Sequence, residues 1–260
     1  MGERAVHSKN KRSDGVMMQK KVPGEATFTT TRGTVFDEND LTLLALMHRS
    51  GTVVYREESV RLESGITSNI YVKAREDITQ NTQLLSMVGS KLANTVRIHS
   101  LYTDKQACLV GLPTAGTPLA VAAAVMSYQE KIFACGQYIC ARQMRALRKT
   151  SHGAHQSWVD GVMQPDLQTL WLVDNVTTKG STKIQSLQKL WEDGYEGFPP
   201  CLIFVDREQG GVENLHEVGF SRVAVAFRLL DITEAFVHLG LWPSRVADIV
   251  ADEIHQHQKV

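Results

Sequence analysis

Short, continuous apolar runs alternate with amphipathic stretches along most of the chain. Four of the runs have the length of β-strands, and they cover residues 107–111, 170–173, 202–205 and 223–227. A strand with two apolar faces is buried on both sides, which is typical of a parallel sheet covered by helices. The pattern therefore predicts a central, mainly parallel sheet.

Helices are predicted between these strands from apolar spacing and capping residues. The first starts at Asp37 or Asn39 and ends at Gly51, and the others cover 79–96, 118–128, 181–191, 232–239 and the segment after Pro243. Shorter strands are predicted at 53–55, 70–72 and 132–140. Strands that alternate with helices in this way indicate an α/β fold.

Both ends of the chain differ from its middle. Residues 1–34 are polar and basic, so we expect a disordered tail there, with an arm that binds nucleic acid or a partner as the alternative. The main domain is predicted at 35–245, and residues 246–260 are predicted to form a C-terminal helix and tail.

Within the helix predicted at 181–191, Lys183 and Lys189 are assigned to a solvated face.

Composition narrows the protein class. Hydrophobic residues make up 43% of the chain and the formal net charge is zero, which argues against nucleic acid as a partner of the whole molecule. The four cysteines form no CxxC pair, so we expect a reduced protein in the cytoplasm. No apolar run approaches the roughly 18 residues of a membrane span, so no membrane partner is expected.

Three loops follow predicted parallel strands, where ligands of α/β sheets bind. In the loop 174–181, Asp174 ends an apolar run, and hydroxyls and a glycine follow it. Such a loop suits a phosphorylated sugar because backbone N–H groups at a helix start bind phosphate. The alternative is an ordinary turn with capping hydroxyls.

The other two loops and a basic segment have less specific patterns. Loop 111–117 has the same composition and could hold a second anionic group. Arg207, in the third loop (residues 206–212), offers a planar fork to a carboxylate or a flat heterocycle. Residues 142–153 are basic and lack apolar periodicity, which suits a mobile lid over a pyrophosphate. Solvated turns and loops are the alternative in each case.

Taken in order, four segments resemble the motifs of the orotate phosphoribosyltransferases, which are type I phosphoribosyltransferases. Residues 62–72 resemble the base-site hairpin, 111–120 the pyrophosphate loop, 171–182 the signature for phosphoribosyl pyrophosphate (PRPP), and 205–211 the Asp-Arg-x-x-Gly-Gly element. The resemblance covers about residues 36–245. It implies the family's parallel sheet with flanking helices and a small hood or hairpin from the N-terminal part.

The resemblance also implies a reaction and its residues. PRPP, as its Mg²⁺ complex and with no direct protein ligand to the metal, would give ribose 5-phosphate to orotate and release pyrophosphate. A homodimer is implied, in which the basic lid serves the neighbouring site. The catalytic residues would be Asp174, Lys149 and His152. PRPP would contact Thr114, Ala115, Gly116, Arg142, Arg148, Asp174, Asn175, Thr177, Thr178, Lys179, Gly180, Ser181 and Thr182, and the base Glu63, Tyr71, Thr178 and Arg207.

Several positions depart from the family pattern. Glu63 stands where the family has a lysine, Asn69 replaces a proline, Asn175 replaces the second acidic residue of the PRPP signature, and Thr150 falls at the lid lysine position. Lys73 replaces an aspartate. Three functions therefore remain open: transfer to orotate, transfer to another base, and a non-enzymatic regulator that binds PRPP or a nucleotide.

Overall fold

The computed structural model describes residues 27–61, 65–100, 104–148 and 157–258. In chain order its elements are β1 (Thr27–Thr29), β2 (Val35–Asp37), α1 (Glu38–Arg49), β3 (Val53–Arg61), β4 (Thr67–Val72), α2 (Glu76–Gln80), α3 (Thr82–His99), β5 (Gln106–Gly111), α4 (Gly116–Gln129), β6 (Phe133–Ala134), β7 (Gln137–Tyr138), β8 (Cys140–Gln143), β9 (Gln168–Thr177), α5 (Ser181–Glu192), β10 (Cys201–Asp206), α6 (Gly211–Val218), β11 (Val223–Arg228), α7 (Leu229–His238) and α8 (Ser244–Gln258).

Five parallel strands form the central sheet in the order β11-β10-β9-β5-β8. The chain enters at β5, moves outward to β8, then crosses back to β9 and continues to β11. The direction of winding therefore reverses between β5 and β9, and ligands of such sheets bind at this point, beyond the carboxyl ends of the strands. The loops that follow β5 and β9 meet there. The predicted fold class is confirmed.

Strand alternation explains the apolar runs. In β9, Trp171 and Val173 face a core built from α1, α3, α4, α7 and α8, whereas Leu170 and Leu172 face a second core under α5 and α6. Both faces are buried, so every position from Leu170 to Val173 is apolar. Asp174, at an even position, belongs to the face that α5 covers.

Two hairpins lie outside the central sheet. β3 and β4 pair antiparallel in the N-terminal half, as the implied hood requires, and β1 pairs antiparallel with β2. The structure describes residues 27–34, which come before the expected boundary at residue 35, and there Arg32 pairs with Glu208 and, at 3.0 Å, with Asp231. The basic residues Lys9, Lys11, Arg12, Lys20 and Lys21 of the predicted tail lie outside the described residues. Helix α8 packs Val246, Val250 and Ile254 into the main core.

Some predicted bounds differ from the structure. The helix predicted from Thr79 is divided into α2 and α3, because the side chain of Asn81 accepts a hydrogen bond from Leu84 N at 3.0 Å and caps a new helix. The strand predicted at 132–140 is a short hairpin followed by β8. Within the described part of the chain, no helix is both long and apolar enough to span a bilayer.

No disulfide joins the four cysteines. Cys108 and Cys140 are paired in register on β5 and β8. The hydrogen bond from the Cys108 thiol lowers the pKa of Cys140, and Arg142 acts in the same direction. Gln168 Nε2 also donates to Cys140 Sγ at 3.4 Å. By contrast, burial raises the pKa of Cys201 to about 12.

We expect Cys140 to be the most reactive thiol of the folded protein, because the thiolate is the nucleophile. At pH 7, iodoacetamide should alkylate it about tenfold faster than Cys135, which is a matched control because it is also half-buried. Peptide mass spectrometry over time measures both rates. Equal rates, or alkylation of Cys140 only after unfolding, would contradict the expectation.

The last residue of β10 is a buried carboxyl group. Asp206 Oδ1 accepts a hydrogen bond from Glu208 N at 3.0 Å, but burial raises the pKa of Asp206 to about 6, and the nearby Glu208 and Glu213 carboxylates add to the shift. A raised carboxyl pKa favours the folded state at low pH. This contribution is fully present below the ordinary pKa and is lost as the pH rises through about 6.

We therefore expect the free energy of unfolding of Asp206→Asn to fall less with rising pH than that of the native chain. Between pH 5 and pH 8 the native free energy of unfolding should fall by about 1 kcal/mol more than that of the variant, which keeps the Oδ1 acceptor. Urea unfolding at both pH values measures the difference. Asp248→Asn, on the exposed face of α8, is the control and should behave like the native chain.

Candidate active site

The loop between β9 and α5 forms an open helix N-terminus. Gly180 has φ +81° and precedes the first residue of α5, a conformation that a residue with a side chain rarely adopts. Ser181 and Thr182 are exposed in the first turn of this 12-residue helix. The first N–H groups of a helix have no partner within the helix, so this end suits a phosphate.

Residues 178–182 form the phosphate cradle. Not every hydroxyl group that is predicted to contact PRPP belongs to it. Thr177 is 1% exposed, and a Cβ on Gly211 would lie 2.8 Å from Thr177 Oγ1. The Thr177 side chain therefore lies beside Gly211 of the third loop, and its contact with PRPP stays a prediction. Thr178 and Lys179 are half-buried, and the Lys179 carbonyl accepts a hydrogen bond from Asn214 Nδ2.

Behind the cradle lies a buried ion pair. Lys183 Nζ is 2.6 Å from Asp174 Oδ2 and also donates to the Val176 carbonyl at 2.7 Å. Asp174 Oδ1 accepts from Asn175 N at 2.9 Å. Lys183 is 2% exposed, so its assignment to a solvated helix face was wrong. Helical spacing was an available signal, because Lys183 shares a face with Leu187 and Leu190.

Asn175 connects the cradle to the hairpin side of the fold. Its Nδ2 donates to the Ala74 carbonyl at 3.1 Å, just after β4. A carboxylate at this position has no N–H to donate to that carbonyl. The departure at Asn175 therefore has a structural role, and its side-chain amide holds β9 against the segment that follows β4.

The predicted pyrophosphate loop lies directly beside β9. Leu112 N donates to the Val173 carbonyl at 2.9 Å, and a Cβ on Gly116 would overlap the same carbonyl oxygen. Glycine is thus required for this close approach. Thr114 is exposed, Ala115 is buried, and the Pro113–Thr114 peptide is cis. The structure brings the Gly116 and Asp174 backbones into contact, as the two motifs require.

Arg207 is not open to a ligand in the way that the sequence suggested. It is 3% exposed, and its guanidinium donates to the Ile70 carbonyl at 3.1 Å from both Nη atoms and to Ser68 Oγ at 2.8 Å. Nε donates to Gln209 Oε1 at 3.3 Å. Burial lowers the pKa of Arg207. Its observed contacts hold β4, and contact with a base stays a prediction.

Glu253 of α8, which no sequence pattern indicated as a site residue, supports the same hairpin. Glu253 Oε2 accepts from Asn69 N at 3.0 Å, and Glu253 Oε1 lies 3.9 Å from Arg207 Nη2. Asn69 Nδ2 in turn donates to the carbonyls of Arg56 and Glu57 across the hairpin. Tyr71 is exposed on β4, with Arg56 5.7 Å from its ring centroid.

The predicted lid starts from a defined stem. Asp160 pairs with Arg145, its carbonyl accepts from Arg142 Nη1 at 3.2 Å, and Met144 bridges to Val159. Arg148 lies 3.8 Å from Glu192, at the C-terminal end of α5. Since α5 is about 18 Å long, Arg148 is far from the cradle of its own chain. Lys149, Thr150, His152 and Glu63 lie outside the described residues.

The comparisons with known proteins agree with this geometry, although no family model matches the chain. An orotate phosphoribosyltransferase of Leptospira biflexa is 31% identical over 173 residues, which cover 66% of this chain and 87% of that protein. One of Nostoc is 27% identical over 188 residues, which cover 72% of this chain and 84% of that protein.

A solved structure shows the same fold. The UMP synthase of Leishmania donovani superposes with a TM-score of 0.64 at 19% identity, covering 83% of this chain and 42% of that one. The strand order and the contact between the two loops agree with this fold. The relative from Leptospira biflexa is 31% identical and is covered over most of its length, which shows the family. The chain belongs to the orotate phosphoribosyltransferase family.

Proposed function

We propose that the chain transfers ribose 5-phosphate from PRPP to a ring nitrogen of orotate, giving orotidine 5′-monophosphate and pyrophosphate. The observation that carries this proposal is the contact between Gly116 and β9. It sets the predicted pyrophosphate loop beside the helix N-terminus that would hold the 5-phosphate. One ligand with a phosphate at each end of a ribose matches this arrangement.

The proposed roles follow from position. The first turn of α5, with Ser181 and Thr182, would bind the 5-phosphate, and Asp174 would accept hydrogen bonds from the ribose hydroxyls. Loop 114–116 would bind the pyrophosphate. The reaction needs no covalent intermediate on the protein, because in-line placement and stabilisation of the developing charges supply most of the rate.

Mg²⁺ enters this proposal as part of the substrate. Within the described ranges, no group of three His, Cys, Asp or Glu side chains could hold a metal ion. Asp174 Oδ2 is bound by Lys183, and Asn175 carries no charge. Mg²⁺ prefers phosphate oxygens and water in such sites, so the diphosphate of PRPP would bring its own ion.

We also propose a homodimer in the cytoplasm, in which each lid closes on its neighbour. The position of Arg148 supports this, since its ion pair with Glu192 lies at the end of α5 opposite the cradle. In the same region, the backbone N–H of Trp158 donates a hydrogen bond to Asp193 Oδ2 at 2.7 Å. Arg142, Arg148, Lys149 and His152 would then act on the partner's pyrophosphate. The absence of disulfides suits a reducing compartment.

A second candidate is transfer to a different base. The observation that favours it is the hairpin, where Arg207 is already engaged by Ile70 and Ser68 and Asn69 replaces the family's proline. Pyrophosphate release from PRPP with a panel of purine and pyrimidine bases separates the candidates. Release with orotate alone supports the first, release only with another base supports the second, and PRPP binding without release supports a regulator.

The phosphate cradle is tested by Ser181→Asp. A carboxylate in the first turn favours the helix electrostatically but repels a phosphate, so the free energy of unfolding should hold or rise while the KM for PRPP rises at least tenfold. Steady-state kinetics and urea unfolding measure the two effects. Ser244→Asp makes the same change at the start of α8, and the KM for PRPP should not change. An unchanged KM in Ser181→Asp would remove α5 from the PRPP site.

The hairpin support is tested by Glu253→Gln. The amide can still accept from Asn69 N but loses the charge beside Arg207, so the hairpin should loosen. We expect the KM for the base to rise by about threefold to tenfold with little change in the KM for PRPP. Asp252→Asn, an exposed neighbour on α8, is the control. Equal changes in both KM values would show a general loss of structure instead.

A further inference from the structure

Lys183 is the charged residue of α5 whose side chain is buried beneath the cradle. Its ammonium contacts the Asp174 carboxylate at 2.6 Å and the Val176 carbonyl at 2.7 Å, and its side chain is 3% exposed. Lys189 of the same helix lies 4.5 Å from the ring centroid of Trp158, near the opposite end. A buried ammonium requires a compensating charge, and Asp174 supplies it.

The charges behind the cradle sum to zero in this chain. Asp174 contributes one negative charge and Lys183 one positive charge, while Asn175 is neutral and its amide is bonded to Ala74. A carboxylate without a neighbouring cation would repel a phosphorylated ligand, and a bound divalent cation can offset this repulsion. Here the ammonium already stands beside the carboxylate.

We propose that Lys183 is a resident cation of the ribose site, which positions Asp174 and lets the loop bind a ribose 5-phosphate group without a divalent ion. This role rests on the proposed function, since it concerns the same loop. Lys183 Nζ bonds Asp174 Oδ2, and Asn175 N bonds Oδ1, so both carboxylate oxygens are held in place. Each oxygen keeps a lone pair for a ribose hydroxyl. Mg²⁺ is then needed only where the ligand carries a diphosphate.

Calorimetry with two ligands that lack a diphosphate tests this role. Ribose 5-phosphate reports on the loop whatever the base is, and orotidine 5′-monophosphate adds the proposed base. For the native chain, the dissociation constants in EDTA and in Mg²⁺ should agree within about twofold. Lys189→Met removes the same charge from the far end of α5 and should also leave both values unchanged.

Three variants change the charge behind the cradle. In Lys183→Met the uncompensated carboxylate should weaken ribose 5-phosphate binding in EDTA by about tenfold, and Mg²⁺ should restore part of it. Asn175→Asp adds a second carboxylate and should introduce the same dependence on Mg²⁺. Asp174→Asn/Lys183→Met has neither charge, and its binding should again not depend on Mg²⁺. These two variants keep the test decisive if Lys183→Met does not fold.

The outcomes separate this role from the proposed function. Native binding that is lost in EDTA overturns the resident cation and leaves the proposed function standing. Folded Lys183→Met or Asn175→Asp with native affinity and no response to Mg²⁺ also overturns it. If the native chain binds neither of these ligands nor PRPP in either condition, the proposed function fails and the resident cation fails with it.

Discussion

The ion pair between Asp174 and Lys183 joins the two elements on which the site depends. The carboxylate ends the apolar run of β9, and the ammonium starts from the first turn of α5. Because neither charge is stable alone in the interior, the strand end and the helix start must keep one relative position. The cradle is therefore set by a buried contact rather than by the loop itself, and the pyrophosphate loop adds to it through the Gly116 approach.

Much of the fold follows from local pattern. The runs in β5, β9 and β10 are apolar at every position because both faces are covered, and this feature is visible without any long-range information. The sequence motifs also predicted that the loops 111–117 and 174–181 lie close together, because the carboxyl ends of parallel strands share one edge of the sheet. Strand pairing then placed the loops of β5 and β9 side by side.

Other features depend on distant contacts that no local pattern reports. Arg207 looked like a ligand-facing fork, but its partners Ser68 and Ile70 are far away in the chain. Asn175 looked like a lost charge, yet its amide bonds Ala74. Lys183 could have been placed by helical spacing, had the apolar positions Leu187 and Leu190 been followed back to the first turn. The charge of Lys183 indicates an exposed side chain, and no local pattern reports its buried partner Asp174.

The hairpin side and the phosphate side of the site are completed at different points along the chain. The cradle, the pyrophosphate loop and the ion pair all lie before Gly211, so they can assemble from the first four strands of the sheet. Arg207 already contacts β4 of the hairpin, but Glu253 of α8, which accepts from Asn69 N and lies beside Arg207, comes some 180 residues after the strand that it supports. During synthesis, therefore, a nascent chain acquires the means to hold a phosphate well before it acquires a firmly held surface for a base.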